Sequence, residues 1–164
     1  MAKVLIVSDS HGKTGTLKAI IAREQPFDLL IHCGDSELDD EIEVLTYMAD
    51  VPVYAVKGNC DIFSALNSFE SFDYQGHRIL VVHGHREGVN YGLDELYRKA
   101  SGIGADVVFF GHTHVPHLRN ENGITMANPG STDRPRQSDR ESTYMTMEIK
   151  PGLEPEIMLE KYSF

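Results

Sequence analysis

Cysteine is scarce in this chain and tryptophan is absent: Cys33 and Cys60 are the only two thiols, and they form no CxxC pair. A disulfide framework is therefore not expected, and a reducing cytoplasm is the expected setting. Long apolar runs are missing as well. The opening residues, MAKVLIVSD, hold one short hydrophobic stretch and no small-residue cleavage pattern. Neither a signal peptide nor a membrane anchor is expected. Internal repeats, low-complexity tracts and Pro/Ser-rich linkers are not found, so the 164 residues read as one domain, 1–164. Basic charge is in short supply: 15 Lys and Arg stand against 25 Asp and Glu, a net charge of −10. Such a balance works against nonspecific binding to nucleic acid or anionic lipid, and neither is expected as a partner. A phosphate-bearing substrate would need a local reversal of that field, which bound metal ions can supply.

What is present is an alternation of short apolar runs with amphipathic segments. Lys3 to Val7 reads as a buried strand, and Thr16 to Arg23 as a helix that buries Leu17, Ile20 and Ile21 and stops at Pro26. A strand over Leu29 to Cys33, a helix over Glu41 to Tyr47 and a strand over Val53 to Val56 follow. This order predicts parallel βαβ units. After residue 65 the pattern changes. Phe69 to Tyr74 and Arg78 to Val82 flank Gln75-Gly76 as a hairpin, Leu93 to Lys99 forms a third helix, and Asp106 to Phe110 another buried strand. A further hairpin turns at Asn122-Gly123, and Tyr144 to Ile149 pairs with Glu156 to Glu160 across Pro151-Gly152. The expected architecture is α/β, with two sheets packed face to face and helices outside.

The polar residues fall where the strands end. Asp9-Ser10-His11, Gly34-Asp35, Gly58-Asn59-Cys60-Asp61, His83-Gly84-His85 and Gly111-His112-Thr113-His114 each follow an apolar run. In open α/β sheets that edge is where sites form. In a strand-like segment residues i and i+2 share a side, so Asp9 and His11 are expected to close on one ion, and His112 and His114 to reach inward together. Any one of these groups has an ordinary explanation as a turn. Five in succession point to a metal centre of Asp9, His11, Asp35, Asn59, His83, His112 and His114. Mixed imidazole and carboxylate donors suit Mn, Fe, Zn, Ni or Co. A central carboxylate such as Asp35 can bridge two ions about 3.5–4 Å apart.

Read in order, these five blocks resemble the signature of the calcineurin-like metallophosphoesterases. The short chain, the GNCD form of the third block and Asn128-Pro129-Gly130-Ser131 are similar to the small YfcE-type phosphodiesterase branch. The resemblance implies a four-layer αββα sandwich of two mixed sheets and two divalent metal ions, commonly manganese, with nickel, zinc or iron as substitutes. It places Asp9, His11, Asp35 and His114 on one ion and Asp35, Asn59, His83 and His112 on the other. A small phosphate-ester substrate would be hydrolysed by a metal-bridging hydroxide, and the protein would form dimers or tetramers. The same fold also occurs in a eukaryotic retromer scaffold subunit and in nucleases. The intact ligand set favours the enzyme, and the acidic charge disfavours the nuclease.

One position departs from the pattern. Where many members carry a histidine that protonates the leaving group, this chain has Cys60, either a small filler or a weak thiol acid. His85 is a candidate to substitute or to contact substrate, and family position suggests that Asp61 orients a histidine. His32 reads as a satisfied core histidine and His77 as solvated. His117 lies near the site or on the surface. Arg134, Arg136 and Arg140 alternate with Asp133 and Asp139, either as a mixed-charge surface loop or as a phosphate anchor.

Overall fold

Residue alternation within the apolar runs builds three cores, one between the sheets and one beneath the helices on each outer face. The computed structural model describes residues 1–163. In β1 (Ala2–Val7), Val4 and Ile6 point to one face and Leu5 and Val7 to the other, and all four are fully buried. The same division holds in β2 (Leu29–His32), β5 (His77–Val82) and β6 (Val107–Phe109). Strands covered on both faces need such continuous hydrophobicity. Val4, Ile6, Leu29, Ile31, Ile79, Val81, Val107 and Phe109 meet between the sheets. Leu5, Val7 and Leu30 face α1 (Thr14–Glu24) and α2 (Asp39–Ala49), whereas Leu80, Val82 and Val108 face α3 (Asp94–Ile103).

The result is a four-layer αββα sandwich. With β3 (Val53–Ala55), β4 (Phe69–Tyr74), β7 (His117–Glu121), β8 (Ile124–Asn128), β9 (Ser142–Ile149) and β10 (Glu156–Tyr162), the sheets run β10-β9-β1-β2-β3 and β4-β5-β6-β8-β7. In the first sheet the parallel group β1-β2-β3 runs to one edge, with β9 and β10 added by antiparallel pairing on the other side; in the second the parallel centre β5-β6-β8 is flanked by antiparallel β4 and β7. The carboxyl ends of both parallel groups lead into the polar loops described below.

Three differences from expectation have physical causes. Helix α3 continues past Lys99 to Ile103 and ends at Gly104, whose φ of 72° makes a left-handed cap. Beyond Ala100 the residues Ser101, Gly102 and Ile103 are exposed, so the buried stripe stops before the helix does. Strand β9 alternates poorly because it is buried on both faces, Tyr144 against the helices and Met145 and Met147 between the sheets. His77 is not solvated: its Nδ1 lies 2.7 Å from Asp106 Oδ2 and its side chain is 15% exposed. Among the described residues no helix is long and apolar enough to cross a membrane.

Phe109 is fully buried between the sheets, while Phe63 is 98% exposed. Phe109→Ala should lower unfolding free energy by about 3–5 kcal/mol in urea titrations. Phe63→Ala should stay within about 0.5 kcal/mol of the parent.

Candidate metal centre

Seven side chains expected from the sequence converge where the two sheets meet, and the backbone bends unusually to bring them there. Asp9, His11, Asp35, His112 and His114 all have positive φ, from 49° to 73°. None is glycine, so each carries the steric cost of the left-handed region. This corrects the strand-like reading of Asp9 and His11. They converge because both sit at left-handed positions in a loop, not because they alternate along a strand. Around His112 the turn is tighter still: Thr113 N–H donates to Gly111 C=O at 2.9 Å and His112 has φ 73°, the signature of a γ-turn. Gly58 and Gly111 are required by close approach, since a Cβ at Gly58 would overlap the Asp35 carboxylate and one at Gly111 would overlap Ser8 and Asp9.

Hydrogen bonds on the outer ring nitrogens fix the inner ones. His83 Nδ1 lies 2.7 Å from the Cys33 carbonyl and His114 Nδ1 2.7 Å from the Arg134 carbonyl. His11 Nδ1 lies 3.2 Å from Glu37 Oε1. All three partners are acceptors, so Nδ1 carries the proton and Nε2 of the neutral ring presents a lone pair inward. Nε2 of His11 and of His114 then face each other at 3.2 Å. Asp9 Oδ1 is buried, has no hydrogen-bond partner, and lies 3.1 Å from His114 Nε2 and 3.8 Å from both His11 and His83 Nε2. Asp35 Oδ2 is 3.2 Å from His83 Nε2 and 4.0 Å from His11 Nε2.

Donor atoms of Asp9, His11, Asp35 and His114 all fall within 4.8 Å of one another, a buried cluster that can hold a divalent ion. Next to it, Asn59 Oδ1 lies 2.9 Å from His83 Nε2 and 3.0 Å from His112 Nδ1. Burial is the largest influence on Asp9 and Asp35 and pushes both carboxyls up. The neighbouring imidazoles outweigh it, His114 foremost for Asp9 and His83 for Asp35, and hold both below the ordinary carboxylate range. His83 is the reverse case: burial opposes a proton, but Asp35 and Asp9 raise its basicity. The carboxylates attract positive charge, and the donor set fits a divalent metal of the Mn, Fe, Ni or Zn type.

The remaining predicted residues occupy the border. Cys60 is exposed; its amide donates to Asp35 Oδ1 at 2.8 Å, and partial burial, with Asp35 beside it, pushes its thiol up to about 11. His85 packs beside His83 and His112, at ring separations of 5.4 and 6.0 Å. Burial, with the neighbouring His83, depresses its basicity. Asp61 does not orient a histidine. Its carboxylate accepts the backbone N–H groups of Asp35, Glu37 and Gly58 at 2.8, 2.6 and 2.8 Å, clamping the loop after β2 to the loop after β3. His117 is exposed on β7.

A second layer was not visible in the sequence. Gly34 N–H donates to His32 Nδ1 at 3.1 Å, so His32 Nε2–H donates to Ser10 Oγ at 2.9 Å, and Ser10 donates to Glu41 Oε2 at 3.1 Å. Burial pushes His32 down to about 4, keeping it a neutral core histidine as its apolar surroundings suggested. Glu41, on the first turn of α2, is 2% exposed and leaves Oε1 unpartnered. Only a sequence signal linking Ser10 to residues 32 and 41 could have found this chain, and spacing carries none.

Burial raises Glu41 to about 7 from an ordinary 4.5. Between those values the native carboxyl keeps a proton that the unfolded chain releases, so its contribution to stability falls as pH rises through the window. Relative to Glu41→Gln, the metal-free parent should lose roughly 2–3 kcal/mol between pH 4.5 and 7.5 in urea unfolding. Parallel pH profiles for the two proteins would contradict this.

Known proteins give this geometry a family. The sequence profile of the calcineurin-like phosphoesterase superfamily domain matches residues 2–152. The probable metallophosphoesterase YsnB of Bacillus subtilis is 41% identical over 140 residues, 85% of this chain and 80% of that protein. A predicted phosphoesterase from Streptococcus pneumoniae superposes with a TM-score of 0.79 at 27% identity, covering 98% and 99% of the two chains. Vps29 of Entamoeba histolytica, solved with zinc, reaches 0.77 at 19% identity with 97% and 98% covered, a likeness of fold alone. The chain therefore belongs to the calcineurin-like phosphoesterase superfamily.

Proposed function

We propose that the chain is a phosphodiesterase with two divalent cations, Asp9, His11, Asp35 and His114 serving one and Asp35, Asn59, His83 and His112 the other. The observation that carries this reading is the pair of inward lone pairs on His11 and His114, 3.2 Å apart beside the unpartnered Asp9 Oδ1. A cation satisfies all three atoms together. Manganese suits the mixed donors, with nickel, zinc or iron as substitutes. When bound, such ions supply positive charge for phosphoryl oxygens and lower the pKa of water toward neutrality.

The protein's own part is positional. The Nδ1–H bonds of His11, His83 and His114 hold the rings in the required tautomer and orientation. Asp61 keeps Asp35 in its left-handed turn, and His85 presents an imidazole at the border where a substrate oxygen arrives. Beside Cys60 a depression of about 330 Å³ is lined by Glu37, Asp39 and Asp40 together with Leu38, Ile62 and Phe63. These carboxylates disfavour the second charge of a phosphate monoester, and the apolar side chains suit an aromatic group. Both features favour a diester. The two cysteines are free thiols, in keeping with a cytoplasmic protein.

Chelation should abolish hydrolysis of bis(p-nitrophenyl) phosphate and manganese should restore it, with metal analysis returning about two ions per chain. Asp35→Asn should lose metal from both positions. Activity surviving complete metal removal would refute the reading. Normal metal uptake without hydrolysis of any ester would favour a scaffold role like that of the retromer subunit.

Cys60 supplies a further test. A protonated thiol is a weak acid for a departing oxygen, and general acid catalysis is worth about 10²–10⁴-fold where it operates. Aryl diesters should therefore turn over well and alkyl phosphates slowly. Cys60→His should narrow that gap, and Cys60→Ala should leave aryl hydrolysis nearly unchanged. The check is the slope of rate against leaving-group pKa for the three proteins; a flat slope in the parent made steep by Cys60→Ala would identify the thiol as the acid.

A further inference from the structure

Arg134, Arg136 and Arg140 alternate with Asp133 and Asp139, and on paper those charges nearly cancel. In the fold they do not. Asp133 lies between Lys13 Nζ at 3.2 Å and Arg134 Nε at 3.3 Å. Asp139 pairs with Lys161 Nζ at 2.6 Å, and the same ammonium group is 3.7 Å from Glu141. Lysines from distant parts of the chain thus occupy the carboxylates. Among the described residues the guanidinium groups of Arg136 and Arg140 have no ion-pair partner. In a chain of net charge −10 this is a local excess of positive charge. Asp133, Arg134, Pro135, Arg136 and Arg140 line an open depression of about 390 Å³ there.

The loop is held rigidly against the metal centre. Ser131 Oγ accepts the N–H groups of Asp133 and Arg134 at 3.1 and 2.7 Å and donates to the Asp9 carbonyl at 2.7 Å. Thr132 N–H donates to Ser8 C=O at 3.3 Å, and Arg136 N–H donates to His114 C=O at 3.0 Å. The Arg134 carbonyl receives the Nδ1 proton of His114, so one imidazole ring separates this loop from the centre. Backbone already ordered on folding loses little further freedom when a ligand arrives. Guanidinium forks match phosphate oxygens in bidentate geometry, which a lysine does not.

We propose that this depression is an anion subsite, and that it receives a second phosphate group carried by the diester substrate beyond the scissile bond. The proposal rests on the phosphodiesterase reading for its substrate and on the arginine loop for its site. It makes the preferred substrate a small diester bearing a terminal phosphate monoester.

Thymidine 5′-(p-nitrophenyl phosphate) and its 3′-phosphorylated form share one leaving group and differ by that second phosphate. With manganese, the 3′-phosphorylated compound should show a KM about tenfold lower, as charge-assisted hydrogen bonds of ordinary strength predict. The double variant Arg136→Ala/Arg140→Ala should remove this advantage while leaving KM for the other compound unchanged. Isothermal titration of pyrophosphate into metal-free protein at fixed ionic strength should show binding to the parent and none to the double variant. Equal KM values in the parent, a preference retained in the double variant, or equal pyrophosphate binding would each overturn the proposal. If neither thymidine ester releases p-nitrophenol with any metal, the phosphodiesterase reading fails instead, and the pyrophosphate titration still decides the subsite.

Discussion

Two buried carboxylates ringed by imidazoles set the terms for the rest of the structure. Asp9 is fully buried and Asp35 is 2% exposed, yet the groups around them are imidazoles whose outer protons are already engaged. Burying an ionised carboxylate without compensation costs several kcal/mol even after relaxation. The site meets that cost in part by raising the basicity of His83 and by directing backbone N–H groups at the carboxylates, Cys60 to Asp35 and His112 to Asp9. The proposed cations would supply the balance.

The same constraint accounts for the strained backbone. Left-handed φ at five non-glycine residues persists only where surrounding bonds over-determine it. Here they do. Asp61 gathers three amides from the loops after β2 and β3, and His11 and Gly12 N–H donate to the carbonyls of Asp35 and Ser36 at 2.9 and 2.8 Å. These bonds are all made within the chain and hold the donors in place. On the proposed ligand assignment, proton and metal compete for His83 Nε2, whose basicity the neighbouring carboxylates raise.

How much of this was legible followed from the range of each interaction. Strands were readable because both faces of β1, β2, β5 and β6 are buried and their runs are uninterrupted. The five polar groups were readable because each lies within a few residues of a strand end, and position relative to a strand is local information. The partner of Asp61 was not. An aspartate beside Asn59 gives no hint that it will face backbone amides near residue 35, and assigning it a histidine was wrong for that reason. Ser10, His32 and Glu41 meet only after β1, β2 and α2 have packed. Arg136 and Arg140 looked neutralised because their neighbours in sequence are acidic, whereas Lys13 and Lys161 reach those carboxylates from elsewhere.

That last reassignment changes how an acidic protein handles an anionic substrate. Exposed charges act across roughly a Debye length, about 8 Å at physiological ionic strength, so a chain of net charge −10 repels an extended polyanion along much of its contour. A small ester meets the field only briefly. Once inside, it is governed by short-range contacts, where two unpaired guanidinium groups and the proposed cations outweigh the distant carboxylates. Net charge and site charge therefore select on different lengths of substrate. On this reading the acidic surface is part of the specificity, excluding polymers by size while the arginine loop admits a compact phosphate.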